Sequence, residues 1–504
     1  MQAPRRNATG AAETGTELAE PGAELSEPHA DVAEPDTEFG EADTELVAAD
    51  SGPSPDPPND GGRFWPWLTL WTAVALAIRL ATVFGRPNRA PGGDPGYAWG
   101  VANLLVAGKG FINPLAYNFH NQHHILQTAG WPPLWTFFLT IPVIFGFHTF
   151  YASRIWACIV GAVAVLVCGL AGREISGRRV GLIAALLMAV YPNIWMNDEL
   201  ASSEALSPLC VALVLWTTYR FWRRPTGWNV AALGASIGLA ALCRDELALL
   251  ALFIVVPVVL LVRADWRRRL ALLGLAAGAA AILVFPWVGY NFSRFDKPVY
   301  ISDGLGPTLA SANCGVTYGG FADGYWSYQC MKNVTYTFTP TADESVNFAR
   351  TQTIGTNYIR AHESELPAVI AARIGRGFGF FRPIQQVRFD STIETRPFHW
   401  ALTGLYMYYA LLALGIGGTV VLRRRRILVF PLWAVALDVL TVFILSFGQT
   451  RYRVTFEVSL VLLAAVQLEW FWSKVFPYRR RASVTAPDDA TDPPTRAEPL
   501  PVGV

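Results

Sequence analysis

Long apolar stretches recur between positions 64 and 474, most of about 17–22 residues, the length a helix needs to cross roughly 30 Å of hydrocarbon. Within a bilayer every backbone N–H and C=O must be satisfied inside the segment or in a closed barrel, so runs of this length predict helices. Spans are predicted near 64–84, 153–172, 180–196, 204–222, 229–243, 247–263, 270–289, 399–421, 428–447 and 454–474. The chain is 52% hydrophobic and only 16% charged, which sets it apart from an ordinary soluble enzyme. The expected fold class is an all-α polytopic membrane protein, a bundle of about 10–12 transmembrane helices.

Charge gives the orientation. Arg173, Arg178 and Arg179 share one short loop, Arg223 and Arg224 another. Arg263 with Arg267 to Arg269, then Arg423 to Arg426, fill two more, and Arg479 to Arg481 follow the last span. Every second loop is arginine-rich, so these loops and both termini are expected to be cytoplasmic, in a plasma (inner) membrane. The alternation requires that 132–147 not cross fully. It is about 16 residues long and opens on Pro132-Pro133, and it reads as a helix in or dipping into the outer interface.

The formal net charge of +1 hides an asymmetry: residues 1–60 hold 15 Asp and Glu against Arg5 and Arg6. Segment 1–62 repeats Glu-Pro and Ala-Glu with almost no large apolar residues, so it is expected to be a disordered acidic tail. Residues 477–504 form a second such tail, leaving 63–476 as the membrane domain. Two outer loops are large, 85–152 and 290–398, and both are rich in Tyr, Trp, Gly and His. Residues 364–381 suggest an amphipathic helix along the membrane surface, with Arg373 and Arg376 on one face. Cys158, Cys168, Cys210 and Cys243 lie in or beside apolar runs and read as buried small hydrophobes. Cys314 and Cys330 share a polar outer loop with 15 residues between them, and a disulfide is the natural reading there. No CxxC pair, no His-rich metal spacing and no phosphate loop of the P-loop or dinucleotide type is present. A divalent metal, nucleotide chemistry and nucleic-acid binding thus have no sequence support.

With this topology several ionisable residues meet the outer side at the ends of different spans. They are Asp94 in Gly92-Gly93-Asp94-Pro95-Gly96-Tyr97; Asp198, Glu199 and Glu204; Arg244-Asp245-Glu246; and Arg451-Tyr452-Arg453. Charges at membrane depth are costly and mark a polar cavity or a substrate path. Asp94 is a candidate general base, and equally reads as a turn-forming Asp bonded to its own backbone. Arg451 and Arg453 suit a lipid phosphate, or serve as snorkelling interfacial anchors. Arg244 competes for the phosphate or pairs internally with Asp245, Glu246 or Glu204. Glu204 fits the first turn of a helix that Asp198, Ser202 or Ser203 can cap, with a secondary part in positioning substrate. Lys109, His123 and His124 lie in the first outer loop, where they can meet phosphate or acceptor, or be incidental.

The order of short motifs resembles the GT-C membrane glycosyltransferases, nearest to the branch of protein O-mannosyltransferases and lipid A aminoarabinose transferases. The matching residues are Asp94-Pro95-Gly96-Tyr97, Ala102-Asn103-Leu104-Leu105, Gly108-Lys109-Gly110-Phe111 and Ala129-Gly130-Trp131-Pro132-Pro133-Leu134. Gly172-Arg173-Glu174 through Gly181, Ser203-Glu204-Ala205-Leu206, Gly238-Leu239-Ala240 with Arg244-Asp245-Glu246, Pro286-Trp287 with Asn291-Phe292, and Arg451-Tyr452-Arg453 complete the series. The resemblance covers about 64–474 and implies a GT-C-like bundle with interfacial helices in the first outer loop. It implies an inverting transfer, metal-optional, of a sugar from a polyprenyl-phosphate donor to an extracytoplasmic lipid, glycan or protein acceptor. Asp94 is then the expected base and Arg451, Arg453, Arg244 and Lys109 the expected phosphate ligands. Tyr97, His123, His124, Trp131, Glu204, Asp245 and Glu246 are expected to line the substrate site. Many relatives carry a second acidic residue directly after the first-loop Asp, and Pro95 stands there in this chain. The competing expectation is a lipid or solute transporter or flippase using the same outer polar cavity, although no internal repeat is legible.

Overall fold

The computed structural model describes residues 63–475 apart from 119–124, 336–337 and 340–341. Both predicted tails, and His123 and His124 with them, lie outside the described residues. In chain order the helices are α1 (Phe64–Phe84), α2 (Gly93–Val106), α3 (Pro114–Asn118), α4 (Pro133–Ile144), α5 (Phe150–Ser176), α6 (Arg178–Val190) and α7 (Pro192–Leu200). Then come α8 (Ser207–Arg223), α9 (Gly227–Cys243), α10 (Val256–Leu260), α11 (Trp266–Phe292), α12 (Leu305–Ala312) and α13 (Tyr328–Thr335). The last are α14 (Glu344–Ala361), α15 (Leu366–Gly377), α16 (Pro383–Thr392), α17 (Phe398–Arg424), α18 (Phe430–Leu445) and α19 (Thr450–Val475). Among the described residues the one β feature is an isolated antiparallel bridge between Ile112 and Gln127.

Each predicted span falls on helix, but only α1, α5, α11, α17 and α19 are long and apolar enough to cross a membrane unaided. The segment predicted at 180–196 is two helices, α6 and α7, bent by 54°. Pro192 explains the bend, because a residue before proline is driven out of the helical region, and Tyr191 is extended. The segment predicted at 247–263 is likewise broken into a tight turn at Asp245–Leu249, a wide one at Ala251–Val255 and short α10, with Pro257 removing an N–H from the ladder. α4, in the stretch expected not to cross, has 12 residues, or about 18 Å of helix. It buries Trp135, Leu139 and Val143 while Phe137 and Ile144 stay exposed.

α19 is the central element, buried over most of its length between α17, α6, α18 and α8. A Cβ on Gly418 would lie 1.9 Å from the Leu463 carbonyl oxygen, so α17 and α19 approach at backbone distance only because that position has no side chain. α11 is at the opposite extreme, with Ile282 and Phe285 exposed on a flank suited to lipid. The arginine-rich ends collect at one end of the bundle. Arg425 bonds both Ser176 and Glu469 at 2.8 Å, Arg223 lies 3.6 Å from Glu174, and Arg268 donates to the Pro225 carbonyl.

Inside the bundle two buried ion pairs tie α1 and α5 to α7. Arg79 Nε meets Asp198 Oδ2 at 2.5 Å with both side chains fully buried. Arg154 binds the Glu199 carboxylate at 2.6 Å and its carbonyl at 2.9 Å, and Arg89 reaches the other carboxylate oxygen. Asp198 is therefore an ion-pair partner and not a helix cap, and α8 has no side-chain cap at all.

The segment between α11 and α17 folds around buried arginines, and this corrects the expectation for 364–381. Arg373 and Arg376 do share a face of α15, but that face points inward. Arg373 bonds the Ala312 carbonyl and Asn313 Oδ1, while Arg376 bonds the Asp323 carbonyl and Gln385. Both side chains are fully buried. Cys314 and Cys330 are disulfide-bonded in the same segment, and the other four cysteines are free and buried.

Removing one member of a buried ion pair leaves an uncompensated charge, typically at a cost of about 3–5 kcal/mol, whereas an apolar pair of similar volume is often neutral. Arg79→Met is expected to lower the melting midpoint of the detergent-solubilised protein sharply, and Arg79→Met/Asp198→Leu to restore most of the loss. Equal loss in the single and double variants would count against the pair as the anchor between α1 and α7.

Candidate active site

Arg451 stands in the first turn of α19, and three carboxylates from three distant segments surround it. Its Nη1 meets Asp94 Oδ2 at 2.7 Å across 357 residues of sequence. Its Nε lies 3.6 Å from Glu204 Oε1 and 3.6 Å from Glu394 Oε1. Asp94 occupies the first turn of α2, where the helix dipole favours an acid. The turn before it is tight: Gly93 is left-handed at φ +56°, and a Cβ on Gly96 would lie 2.9 Å from the Pro91 backbone. The Asp94 side chain is 39% exposed, against 4% for Glu204 and 10% for Glu394.

Arg244 extends the group. The chain leaves α9 in an extended conformation at Arg244, which brings its Nη1 to Glu204 at 2.6 Å and its Nε to Glu246 at 2.5 Å. Its guanidinium stacks over Tyr452, 4.8 Å from the ring centroid. Glu204 thus bridges two arginines. Burial alone would raise its pKa, but the Arg451 and Arg244 guanidiniums outweigh burial and hold it below the usual carboxylate range. Glu394 is also held by Arg396 at 3.1 Å and accepts from Gln449 Nε2, and burial raises its pKa despite Arg451 and Arg396.

A second polar group lies one helical turn along α2. Tyr97 donates to Thr128 Oγ1 at 2.8 Å, and Thr128 donates to Glu344 Oε1 at 2.7 Å, which also accepts from the Ala129 N–H. The Tyr97 ring lies against Trp131 at 4.4 Å. Asp303 bonds the Ala129 carbonyl through its backbone N–H, while both its carboxylate oxygens are buried without a hydrogen-bond partner among the described residues. Burial first, and the mutual repulsion with Glu344 second, push Asp303 up to about 8; burial pushes Glu344 up to about 7. Asp245, raised by burial to about 7, accepts from Ser302 and so links the Arg244 segment to this group.

The structure therefore brings Asp94, Arg451, Arg244, Glu204 and Glu246 into one network and sets Tyr97, Trp131 and Asp245 beside it. Arg453 does not join. Residues two apart on a helix do not share a face, and Arg453 turns inward to Glu457 at 2.7 Å and the Gly377 carbonyl, its guanidinium 3.6 Å from the Tyr408 ring centroid. Lys109 does not join either. It is exposed beyond the C-terminal end of α2, about 20 Å along the helix from Asp94. Arg244 pairs with Glu204 and Glu246, and not with Asp245. Glu394, Arg396, Gln449 and the Asp303–Glu344 pair complete the site, although nothing in the sequence marked them as its members. Among the described residues no three His, Cys, Asp or Glu side chains sit together as metal ligands.

A model of the family described as dolichyl-phosphate-mannose-protein mannosyltransferase matches residues 131–290, about a third of the chain. That range contains Trp131, Glu204, Arg244, Asp245 and Glu246 but neither Asp94 nor Arg451. Among solved structures, the oligosaccharyltransferase AglB of Archaeoglobus fulgidus, in complex with an inhibitory peptide and a dolichol-phosphate, aligns over 84% of this chain at 16% identity with a TM-score of 0.50. This chain spans about half of that protein's length (52%). ArnT of Cupriavidus metallidurans bound to undecaprenyl phosphate aligns over 82% of this chain and 80% of its own, at 16% identity and a TM-score of 0.39. No curated protein matches the sequence significantly. The chain is a multi-pass membrane protein with the GT-C fold.

Asp303 and Glu344 are more readily neutral in the folded chain than in the unfolded one, where carboxyls titrate near 4. Ionising them as the pH rises from about 4 to about 8 therefore favours unfolding. The melting midpoint is expected to fall between pH 5 and pH 8, and to fall less steeply in Asp303→Asn/Glu344→Gln. Parallel pH profiles for the two proteins would remove the carboxyl pair as the cause.

Proposed function

We propose that this chain is an inverting glycosyltransferase. It takes a sugar from a polyprenyl-phosphate donor and passes it to an acceptor on the extracytoplasmic side, with Asp94 as general base. The observation that carries the reading is the 2.7 Å contact between Asp94 and Arg451, a half-exposed acid beside a cation. The family match over 131–290 and the GT-C fold point the same way.

In this reaction the acceptor's hydroxyl or amine attacks the anomeric carbon from the face opposite the phosphate. Its proton passes to Asp94. The bond between the anomeric carbon and the phosphate oxygen breaks, its electrons leave on the polyprenyl phosphate, and the configuration inverts. The leaving group is already an anion, so electrostatic stabilisation by fixed guanidiniums can take the place of a general acid. Arg451 and Arg244 are placed for that part. Nη2 of each makes no hydrogen bond among the described residues, and guanidinium suits phosphate oxygens in a fork. Glu204 fixes both cations, and the Tyr97–Trp131 pair offers an aromatic wall one turn from the base. The arginine-rich end of the bundle is assigned to the cytoplasm by the positive-inside tendency, which puts this network on the outer face of the plasma membrane.

Asp94→Asn is expected to lower sugar transfer by about 10²–10⁴-fold, the usual range for a general base, in a protein that still inserts and melts normally. Arg451→Gln is expected to weaken donor binding as well. The assay is release of label from a panel of radiolabelled polyprenyl-phosphate sugars by purified protein in lipid vesicles. Near-normal turnover by Asp94→Asn would sink the assignment of the base. Movement of label across the vesicle membrane without bond cleavage would replace the transferase with a transporter.

A further inference from the structure

The end of the bundle away from Asp94 carries a cavity of about 540 Å³, lined by Trp222 of α8, Arg423 and the turn Arg426–Phe430 after α17, and Trp433 of α18. α17 is 27 residues long, so this cavity lies about 40 Å along the helix from its other end, which adjoins the Glu394 segment. It is separate from the network described above.

Four arginines occupy 423–426, where α17 ends, and they point to different neighbours. Arg425 turns onto the bundle and bonds Ser176 and Glu469. Arg423, in the last turn of α17, and Arg426, in the turn just beyond it, line the cavity. Neither makes an ion pair among the described residues, although all the other walls are apolar or aromatic. Arg426 is left-handed at φ +53°, a conformation that costs a non-glycine residue and that turns the chain back toward α18. Tyr219 of α8 fixes the turn by donating to the Leu428 carbonyl at 2.6 Å, and Trp433 is fixed by its bond to Thr419.

A second observation places the cavity at the depth of lipid headgroups. Trp228 at the start of α9 is 87% exposed and Trp266 at the start of α11 is 66% exposed, and both helices begin at this same end. Exposed tryptophans at the ends of spans mark a membrane–water interface. The cavity thus combines two cations without carboxylate partners, two indole walls and a position where lipid phosphate is the abundant anion.

We propose that this cavity is a binding site for an anionic phospholipid. Arg423 and Arg426 hold the phosphodiester, and Trp222 and Trp433 flank the glycerol and the first methylenes of the acyl chains. The proposal does not depend on the glycosyl-transfer reading, since it concerns the other end of the molecule.

The test uses full-length protein purified in detergent and titrated with phosphatidylglycerol, phosphatidylcholine or inorganic phosphate, with bound lipid counted by native mass spectrometry. Wild type is expected to retain phosphatidylglycerol at least tenfold more tightly than phosphatidylcholine, with millimolar inorganic phosphate unable to displace it. Arg423→Gln/Arg426→Gln is expected to lose that preference. Arg424→Gln/Arg425→Gln removes the same charge from outside the cavity and is expected to keep it. Equal retention by the two double variants would overturn the proposal, and so would displacement by inorganic phosphate. Should the first variant fail to fold, a photoactivatable phosphatidylglycerol on wild type decides the matter. Cross-links concentrated on peptides containing 222 and 423–433 support the site, and cross-links spread evenly over the apolar flanks overturn it.

Discussion

A cation at the first turn of a helix is in the wrong place electrostatically, because the helix dipole presents its positive end there. Arg451 is such a cation, in a position only 20% exposed. At an effective dielectric of about 20, two charges 4 Å apart attract by about 4 kcal/mol, against about 1 kcal/mol in water. Partial burial therefore makes carboxylate neighbours favourable for it. Asp94, Glu204 and Glu394 supply them from three segments that no secondary structure joins: the start of α2, the turn before α8 and the turn after α16. The charge that α19 carries to the surface of the bundle thus ties together the connections at that end.

Much of this was legible in the apolar pattern. The spans emerge because about 20 apolar residues have few alternatives to a membrane helix, and the bend at Tyr191 follows from Pro192. The convergence of Asp94, Glu204, Arg244 and Arg451 follows from alternating arginine-rich loops, which place all four at one end. Arg453 shows the limit of reading residues as neighbours because they are close in sequence: the 100° step of a helix sends it to Glu457 inside the bundle. Arg373 and Arg376 show another. An amphipathic pattern assumes that charge faces water, yet these guanidiniums take backbone carbonyls from Ala312 and Asp323. Such partners carry no sequence signature. Arg79 is the instructive case, since an ionisable residue inside an apolar run is itself a signal that a partner, here Asp198, exists.

In the proposed reaction a phosphate must enter a network whose arginines are already matched by carboxylates, and the matching is unequal. Glu204 is buried and holds Arg244 as well as Arg451, so giving it up would strand a second charge. Glu394 is buried and shared with Arg396 and Gln449. Asp94 alone is half-exposed and has Arg451 as its single ion-pair partner among the described residues. A phosphate arriving at Arg451 therefore displaces Asp94 before either of the others, and a displaced Asp94 needs a new donor. The acceptor's hydroxyl or amine is a donor of that kind. In that proposal donor occupancy and release of the base are one exchange of partners at a single guanidinium, and the 2.7 Å contact of Asp94 with Arg451 is the resting half of the exchange.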